Sequence, residues 1–551
     1  MKCNLFFTIG LIALASLIVA PITSAAPVQI TGQTVITAPG TYILGKDICV
    51  SQGTPIKIQC SNVVFDGDGH TIDGTDASGT FGIIVSGNNG PLTGITVKNV
   101  RLSDFYDGLY FKGVNGGRIE SVTATSNVRA GISLRSSNEN VISRCTVSQN
   151  GEGFYIWSQC SRNRIESCTM KDNGEMGLWL ASTGRTSTGI VYDSTDNVVT
   201  GNTASGNGRM GLYVDFSDGN TLSNNQVTSN DQFGIFLDYS SRTRIESNTV
   251  SGGSEQAIYL YDADSTHLIG NTVSGAADFG IWISSSSGNT IRSNTITRNG
   301  RGGLVLNGEE GIPTNDNTVI SNTIRDNGKL GIYLCRSNGN TITNNLFSNP
   351  TNTGFGTSCG TNAWNVERQA GTSITGGSML GGNYWGHPSG AGFSETSPDA
   401  NKDGICDRPY AFSGNSDLYP LAKSGSTSSP TAPVTTTATP TVLTTVTTIP
   451  TIPLPPEVTP SATATSTVTP TLGDQEQSIP ALPGASNPPR DIDGDGLYED
   501  VNGNGRVDFS DVVLLFNNLD AVTASYPASV FDFNQNKRID YSDVTALYQS
   551  L

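Results

Sequence analysis

From residue 82 onward, a small residue followed by alternating apolar and variable positions recurs at a nearly constant interval. The starts are Gly82, Gly108, Gly131, Gly153, Gly177, Gly211, Gly234, Ala257, Gly280, Gly303, Gly331 and Gly354, and the commonest step is 23 residues. The longer steps after Gly177 and Gly303 read as inserted loops. Counted from each start, positions +1 and +3 are aliphatic or aromatic, as in Leu109/Phe111, Ile132/Leu134, Ile235/Leu237 and Ile281/Ile283. Alternation with period two and no helical period predicts short strands, with +1 and +3 inward and +2 and +4 outward. A coil this short cannot bury its own apolar face, so successive coils must stack. The expected fold is all-β, a right-handed single-stranded parallel β-helix of about 12 coils.

A second column supports that register. Position +14 holds Asn225, Asn248, Asn271, Asn294 and Asn345, joined by Asn322 once the preceding insertion is allowed for. Stacked asparagines hydrogen-bond along a solenoid and satisfy a tight turn. Cys145 falls in this column and Cys168 beside it one coil later. Adjacent coils about 4.8 Å apart allow these two to form a bridge or to stay as two buried thiols. Cys335 and Cys359 form a similar pair, and Cys49 with Cys60 is expected to staple the N-terminal cap.

The outward columns carry the candidate chemistry. Position +2 reads Tyr110, Ser133, Tyr155, Trp179, Tyr213, Phe236, Tyr259, Trp282, Val305 and Tyr333. A row of rings at the coil spacing offers faces for stacking on sugars, with Tyr155, Trp179, Tyr213, Phe236, Tyr259 and Trp282 as the ligand-binding candidates. Rings in a sheet also simply pack on one another. Position +4 brings Asp215 and Asp238 to adjacent coils, and Asp262 follows one position further along the next. Two carboxylates at that spacing fit the acid and nucleophile of a retaining glycosidase, a Ca²⁺ site, or solvated surface aspartates.

Composition narrows the partners. The net charge is -17 and charged residues make up 14% of the chain, which argues against nucleic acid or an anionic membrane surface. Lys2, the apolar stretch Leu5 to Ala20 and Thr23-Ser24-Ala25 read as a signal peptide over residues 1–25, with an uncleaved anchor as the alternative. The chain is therefore expected to be secreted, extracellular or at the cell surface, and the mature part keeps eight cysteines with no Cys-x-x-Cys pair.

Two end segments carry a family resemblance. Val64-Phe65-Asp66-Gly67-Asp68-Gly69-His70-Thr71-Ile72-Asp73-Gly74 opens the repeats, and Gly382-Asn383-Tyr384-Trp385 through Asp407-Arg408-Pro409-Tyr410 closes them. With the repeats between, this stretch resembles the NosD-like and pectate-lyase-like families of parallel β-helix proteins. The NosD resemblance implies copper, but His70, His267 and His387 are far apart in the coil register and Met is scarce. The lyase resemblance implies a basic residue beside the acids, and none occupies the adjacent coils of that column.

Four further segments look like calcium loops. Asp399, Asn401, Asp403 and Asp407 stand at loop positions 1, 3, 5 and 9 with Gly404 at 6, giving a calcium site or a plain polar turn. Residues 424–490 are Thr/Ser/Pro-rich and read as an extended stalk. After it, two copies of one unit follow at an offset of 32 residues. The first offers Asp500, Asn502, Asn504, the Arg506 carbonyl, Asp508 and Asp511; the second Asp532, Asn534, Asn536, the Arg538 carbonyl, Asp540 and Asp543. That set supplies the six or more oxygens that Ca²⁺ wants, and an apolar helix is expected after each loop. Lys537 replaces the turn glycine in the second copy, and Asp491, Asp493 and Asp495 make a third acidic loop ahead of the first. The duplicated unit over 491–551 resembles a type I dockerin. That resemblance implies calcium, a cohesin-type partner, and Phe509, Ser510, Tyr541 and Ser542 as the residues choosing it.

The expected layout is a signal peptide (1–25), an N-terminal cap with the first strands (26–81), the repeats (82–365), a closing cap (366–423), the linker (424–490) and the calcium-loop domain (491–551). Three functions fit: a surface protein that binds polysaccharide and docks through its tail, a polysaccharide lyase or glycoside hydrolase, or a structural adhesin.

Overall fold

The computed structural model describes residues 26–87, 90–182, 194–423 and, with gaps, 480–547. The chain divides into two units, one ending at Pro433 and the other running from Val434. Residues 1–25, read above as a signal peptide, and linker residues 424–479 lie outside the described residues.

The first unit is a parallel β-solenoid. Each coil gives one strand to each of three sheets, and each sheet holds 14 strands. The first sheet runs from Val28–Ile30 to Thr341–Thr343, the second from Ile48–Cys49 to Tyr384–Gly386, and the third from Thr34–Ile36 to Thr351–Phe355. The count exceeds the expected 12 because the segment ahead of Gly82 already forms coils, and because Tyr384–Gly386 adds a closing strand to the second sheet. The third sheet has the longest strands, such as Met210–Asp215 and Phe233–Asp238, and each opens beside the small residue that starts the repeat. A larger side chain there collides with the next coil: a Cβ on Gly234 would sit 2.6 Å from the Ala257 carbonyl oxygen.

Positions +1 and +3 are wholly buried, as in Leu212, Val214, Ile235 and Leu237. The asparagine column is continuous. Asn225 Nδ2 donates to Asn248 Oδ1 at 3.0 Å, Asn248 to Asn271 at 3.0 Å and Asn271 to Asn294 at 2.9 Å. Each also closes its turn, as Asn248 Nδ2 does on the Leu222 carbonyl at 2.9 Å. The residue before each of them is left-handed, with φ 55° at Ser247, 67° at Gly270 and 56° at Ser293. Two further asparagine columns stand beside it, through Asn140, Asn163, Asn197 and Asn220, and through Asn127, Asn150, Asn173, Asn207 and Asn230.

All eight described cysteines are free thiols, so the expected staple between Cys49 and Cys60 is not formed. Cys145 and Cys168 do meet, with the Cys145 N–H pointing at Cys168 Sγ at 3.4 Å. Both are buried and take the place of asparagine in the ladder, and their S–H groups reach backbone carbonyls.

The closing segment caps the column. Asn345 Nδ2 donates to Asn383 Oδ1 at 3.0 Å, and Trp385 stacks on Phe347 at 5.1 Å. The buried Asp417 accepts from the Asn383 N–H at 2.7 Å and from Trp385 Nε1 at 2.8 Å. Its partners explain why Asn, Trp and a distant Asp occur together at this end.

Candidate functional site

The +2 and +4 columns lie on the outer face of the third sheet, and the rings there are half-buried rather than open. Trp179, Tyr213, Phe236 and Tyr259 pack over Met176, Met210 and Phe233. They stack on one another along the column, Tyr213 on Phe236 at 5.2 Å and Phe236 on Tyr259 at 4.9 Å with planes 6° apart. Tyr155 continues the stack to Trp179 at 4.8 Å, while Trp282 meets Phe279 edge-on. Ring faces along the stack are thus spent on neighbouring rings, which corrects the expectation of flat faces turned to solvent. Tyr110, Ser133 and Val305, expected outward, are buried.

Asp215 and Asp238 are register partners on adjacent strands, so their Cα atoms stand about 4.8 Å apart. The Tyr213 hydroxyl donates to Asp238 Oδ2 at 3.2 Å. Burial, reinforced by the charge of Asp238, pushes Asp215 well above the usual carboxylate range, against the favourable Trp179 and Tyr213 groups beside it. The Trp179 Nε1–H has no partner meeting hydrogen-bond geometry, so its help to Asp215 is that of a nearby dipole. Burial also raises Asp238, to about 7; Tyr213 opposes this and the charge of Asp262 adds to it. Two carboxyls so placed cannot both ionise freely, and the pair keeps a proton near neutral pH. Asp262 stands in the turn after Ile258–Tyr261 with φ 46° and is raised by burial, Asp264 and Glu309. Among the described residues no three His, Cys, Asp or Glu side chains gather as a metal site.

Sequence reasoning missed the residues flanking this pair. Phe216 and Tyr239 follow the two aspartates directly, stack in parallel at 4.7 Å, and both hold left-handed φ, 44° and 45°. Ser136, Ser158 and Ser285 occupy the same turn elsewhere, so aromatic side chains there were the available signal. Tyr261 meets Tyr239 edge-on and its hydroxyl reaches Glu309 Oε2 at 3.4 Å. Nearer the N-terminus, Asp107 is fully buried and clasped by Arg129 and Ser133. Beside it, burial lifts Glu152 to about 7.

Residues 27–188, 182–314 and 309–390 match the family model described as periplasmic copper-binding protein (NosD). The chain belongs to the NosD family. Residues 498–551 match the dockerin type I domain. No curated protein matches the chain. Among solved structures, the NosD-family solenoid is similar to a single-residue mutant of the periplasmic alginate epimerase AlgG, at 14% identity over 60% of this chain and 84% of that one, TM-score 0.43. It is also similar to the Azotobacter vinelandii mannuronan C-5 epimerase AlgE4 A-module, at 16% identity over 59% and 86%, TM-score 0.37. A third likeness is to the Dettilon tailspike protein, at 16% identity over 56% and 61%, TM-score 0.37.

The family's description names copper, and the soft donors of this NosD-family chain stand apart or are already engaged. His70 Nδ1 is engaged by Asp47 at 3.0 Å and His387 Nδ1 by Ser389 at 2.7 Å, while His267 sits in a strand of the first sheet. Met176 and Met210 are neighbours but are packed among rings, and Cys145 with Cys168 is closed inside the ladder. This donor set does not fit copper.

The Asp399 loop folds as the first tail loop does. Asp403 N–H reaches Asp399 Oδ1 at 3.1 Å and Gly404 N–H reaches Asp399 Oδ2 at 2.9 Å; Asn504 and Gly505 make the same bonds to Asp500 at 3.0 and 2.7 Å. Asn401 accepts from Asp403, as Asn502 does from Asn504, and Asp407 accepts from Ala400. Position 6 is left-handed in every loop: Gly404 90°, Gly496 97°, Gly505 86° and Lys537 69°. Asp491 accepts from Gly496 at 2.9 Å and Asp532 from Lys537 at 2.7 Å. At the far end of the two tail loops, Asp511 and Asp543 are buried and accept from Asn502 and Asn534. Arg506 and Arg538 are described at position 7. Asp493, Asp495, Asp508, Phe509, Ser510, Asn536, Asp540, Tyr541 and Ser542 lie outside the described residues. Leu515, Val522, Phe531 and Leu547 form the tail's apolar core, with Ile539 among them and Val507 packed against it.

Proposed function

We propose that this chain is an exported polysaccharide-active protein: a NosD-family β-helix that binds a glycan on the third sheet and cleaves it at Asp215 and Asp238. Its tail, loaded with calcium at the loops starting at Asp500 and Asp532, attaches it to a cohesin-type partner. The observation that carries the catalytic reading is the carboxylate pair on adjacent coils, held partly out of water and ionising late, with Tyr213 fixing Asp238.

Asp215, the more strongly raised, protonates the glycosidic oxygen as the bond to the leaving sugar breaks. Asp238, ionised above about 7, attacks the anomeric carbon and forms a glycosyl ester. Asp215, now ionised, then takes a proton from a water that displaces Asp238 and frees the new reducing end. The short spacing of neighbouring coils favours the retaining arrangement over one with room for a water between the carboxylates. The stacked rings form the apolar floor under the sugar.

Release of new reducing ends from a broad panel of polysaccharides tests this. The full chain should release them, and Asp238→Asn should lower the rate at least about 100-fold. No product from any glycan, or full activity in Asp238→Asn, contradicts the proposal.

A further inference from the structure

The +4 column changes sign along the solenoid. Register pairs join Lys112 to Arg135, Arg135 to Trp157, Trp157 to Ala181, Ala181 to Asp215 and Asp215 to Asp238. Two cations therefore stand side by side on the face that carries the acid pair, about 14 Å from Arg135 to Asp215 at the coil spacing. Like charges directly opposite on neighbouring strands repel, so the arrangement is unfavourable unless something answers it.

Three arginines beside this face have acid partners, and Lys112 and Arg135 have none among the described residues. Arg129 is paired with Asp107, Arg209 with Glu175 and Arg301 with Asp278. Neither Lys112 nor Arg135 has an ion pair with any described residue, in a chain of net charge -17 with acids to spare. Lys112 is exposed, and the Arg135 guanidinium lies over the Trp157 ring at 4.2 Å, beside the Tyr110 phenol. A guanidinium held against an indole is fixed in position and loses little freedom on binding. Its in-plane N–H groups suit the paired oxygens of an oxyanion, and the lysine adds a mobile second charge.

The geometry points to an oxyanion subsite at Lys112 and Arg135, which takes a carboxylate or sulfate carried by the same glycan strand that reaches Asp215 and Asp238. It rests on the reading that this face binds glycan, and it specifies the class. The acid-rich centre around Asp215, Asp238, Asp262 and Glu309 disfavours an anionic sugar at the point of attack. The anionic group belongs several sugars away, so the substrate is a mostly neutral polysaccharide with spaced acidic substituents rather than a continuous polyanion.

Affinity electrophoresis of the full chain through dextran, carboxymethyl-dextran and dextran sulfate tests the subsite. Either or both anionic polymers should retard the protein at least about 10-fold more strongly than dextran, fading with salt as two charges require. Whichever polymer retards it identifies the oxyanion. Lys112→Ser/Arg135→Ser should lose that preference. Arg292→Ser/Arg298→Ser, which removes two exposed cations from other faces, should keep it. Absence of retardation by both anionic polymers, retention of the preference in the first variant, or equal loss in both variants overturns the subsite. Glycan cleavage that disappears in Asp238→Asn is read separately, so the subsite can fail while the catalytic reading stands.

Discussion

At Asp238 three influences act on one carboxyl: burial opposes its charge, the Tyr213 hydroxyl favours it, and Asp262 repels it. The outcome is an acid that changes state around neutral pH, which an exposed aspartate does not do. Beside the pair, Phe216 and Tyr239 hold a left-handed φ that bulky residues seldom adopt. Lys537 is also strained, at a calcium-loop position where Gly505 serves in the first copy. Lys537→Gly should relieve about 1 kcal/mol of that strain, raising the calcium affinity of the second loop about five-fold. Calorimetric calcium titration of the full chain checks it, and an unchanged affinity would mean that the lysine φ costs nothing.

At the scale of the coil, the asparagine ladder decides stability. Asn248 Oδ1 accepts from both the N–H and the Nδ2 of Asn225, and its own Nδ2 serves Leu222 and Asn271. Asn248→Ala leaves several buried groups unpaired, and a loss of at least about 3 kcal/mol is expected in denaturant unfolding. A loss below about 1 kcal/mol would make the ladder ornamental. The period-two alternation and the Asn at +14 made the coil, its register and this ladder legible from residue types alone. The other ladders were not, because Asn127 or Asn140 stands out only once the turns are placed. Outward faces were read less well. Parity puts Tyr110 and Ser133 outside the helix, where they are, but cannot say that Arg129 and Asp107 pack against that side and bury Ser133. Nor does a column of aromatic residues reveal whether the rings face solvent or each other; the close coil spacing makes them stack.

Over the whole molecule, two units with different chemistry follow one another along the chain. The β-helix carries late-ionising carboxyls at Asp215, Asp238, Glu152 and Asp417, the last raised to about 6 chiefly by burial. Each has a folded pKa above its unfolded value of about 4. The stability each contributes is present in full below that value and is lost as pH rises through the folded one. The β-helix transition should therefore melt at a lower temperature at pH 8 than at pH 5. Scanning calorimetry should show a smaller difference in Asp238→Asn, and a melting point that rises toward pH 8 would refute it. The tail was the most legible part of the sequence, since oxygen ligands at fixed loop positions leave little freedom. The function of the solenoid was less legible, because the acid pair depends on burial that only the packed face supplies.

The central claim is that Asp215 and Asp238 share a proton near neutral pH, and a carbon-13 NMR titration of the aspartate carboxyls in the full chain tests it most directly. One carboxyl of the pair should titrate near 7 and the other later, with Asp238→Asn removing the step near 7. If both carboxyls titrate near 4, as free aspartates do, the claim is wrong.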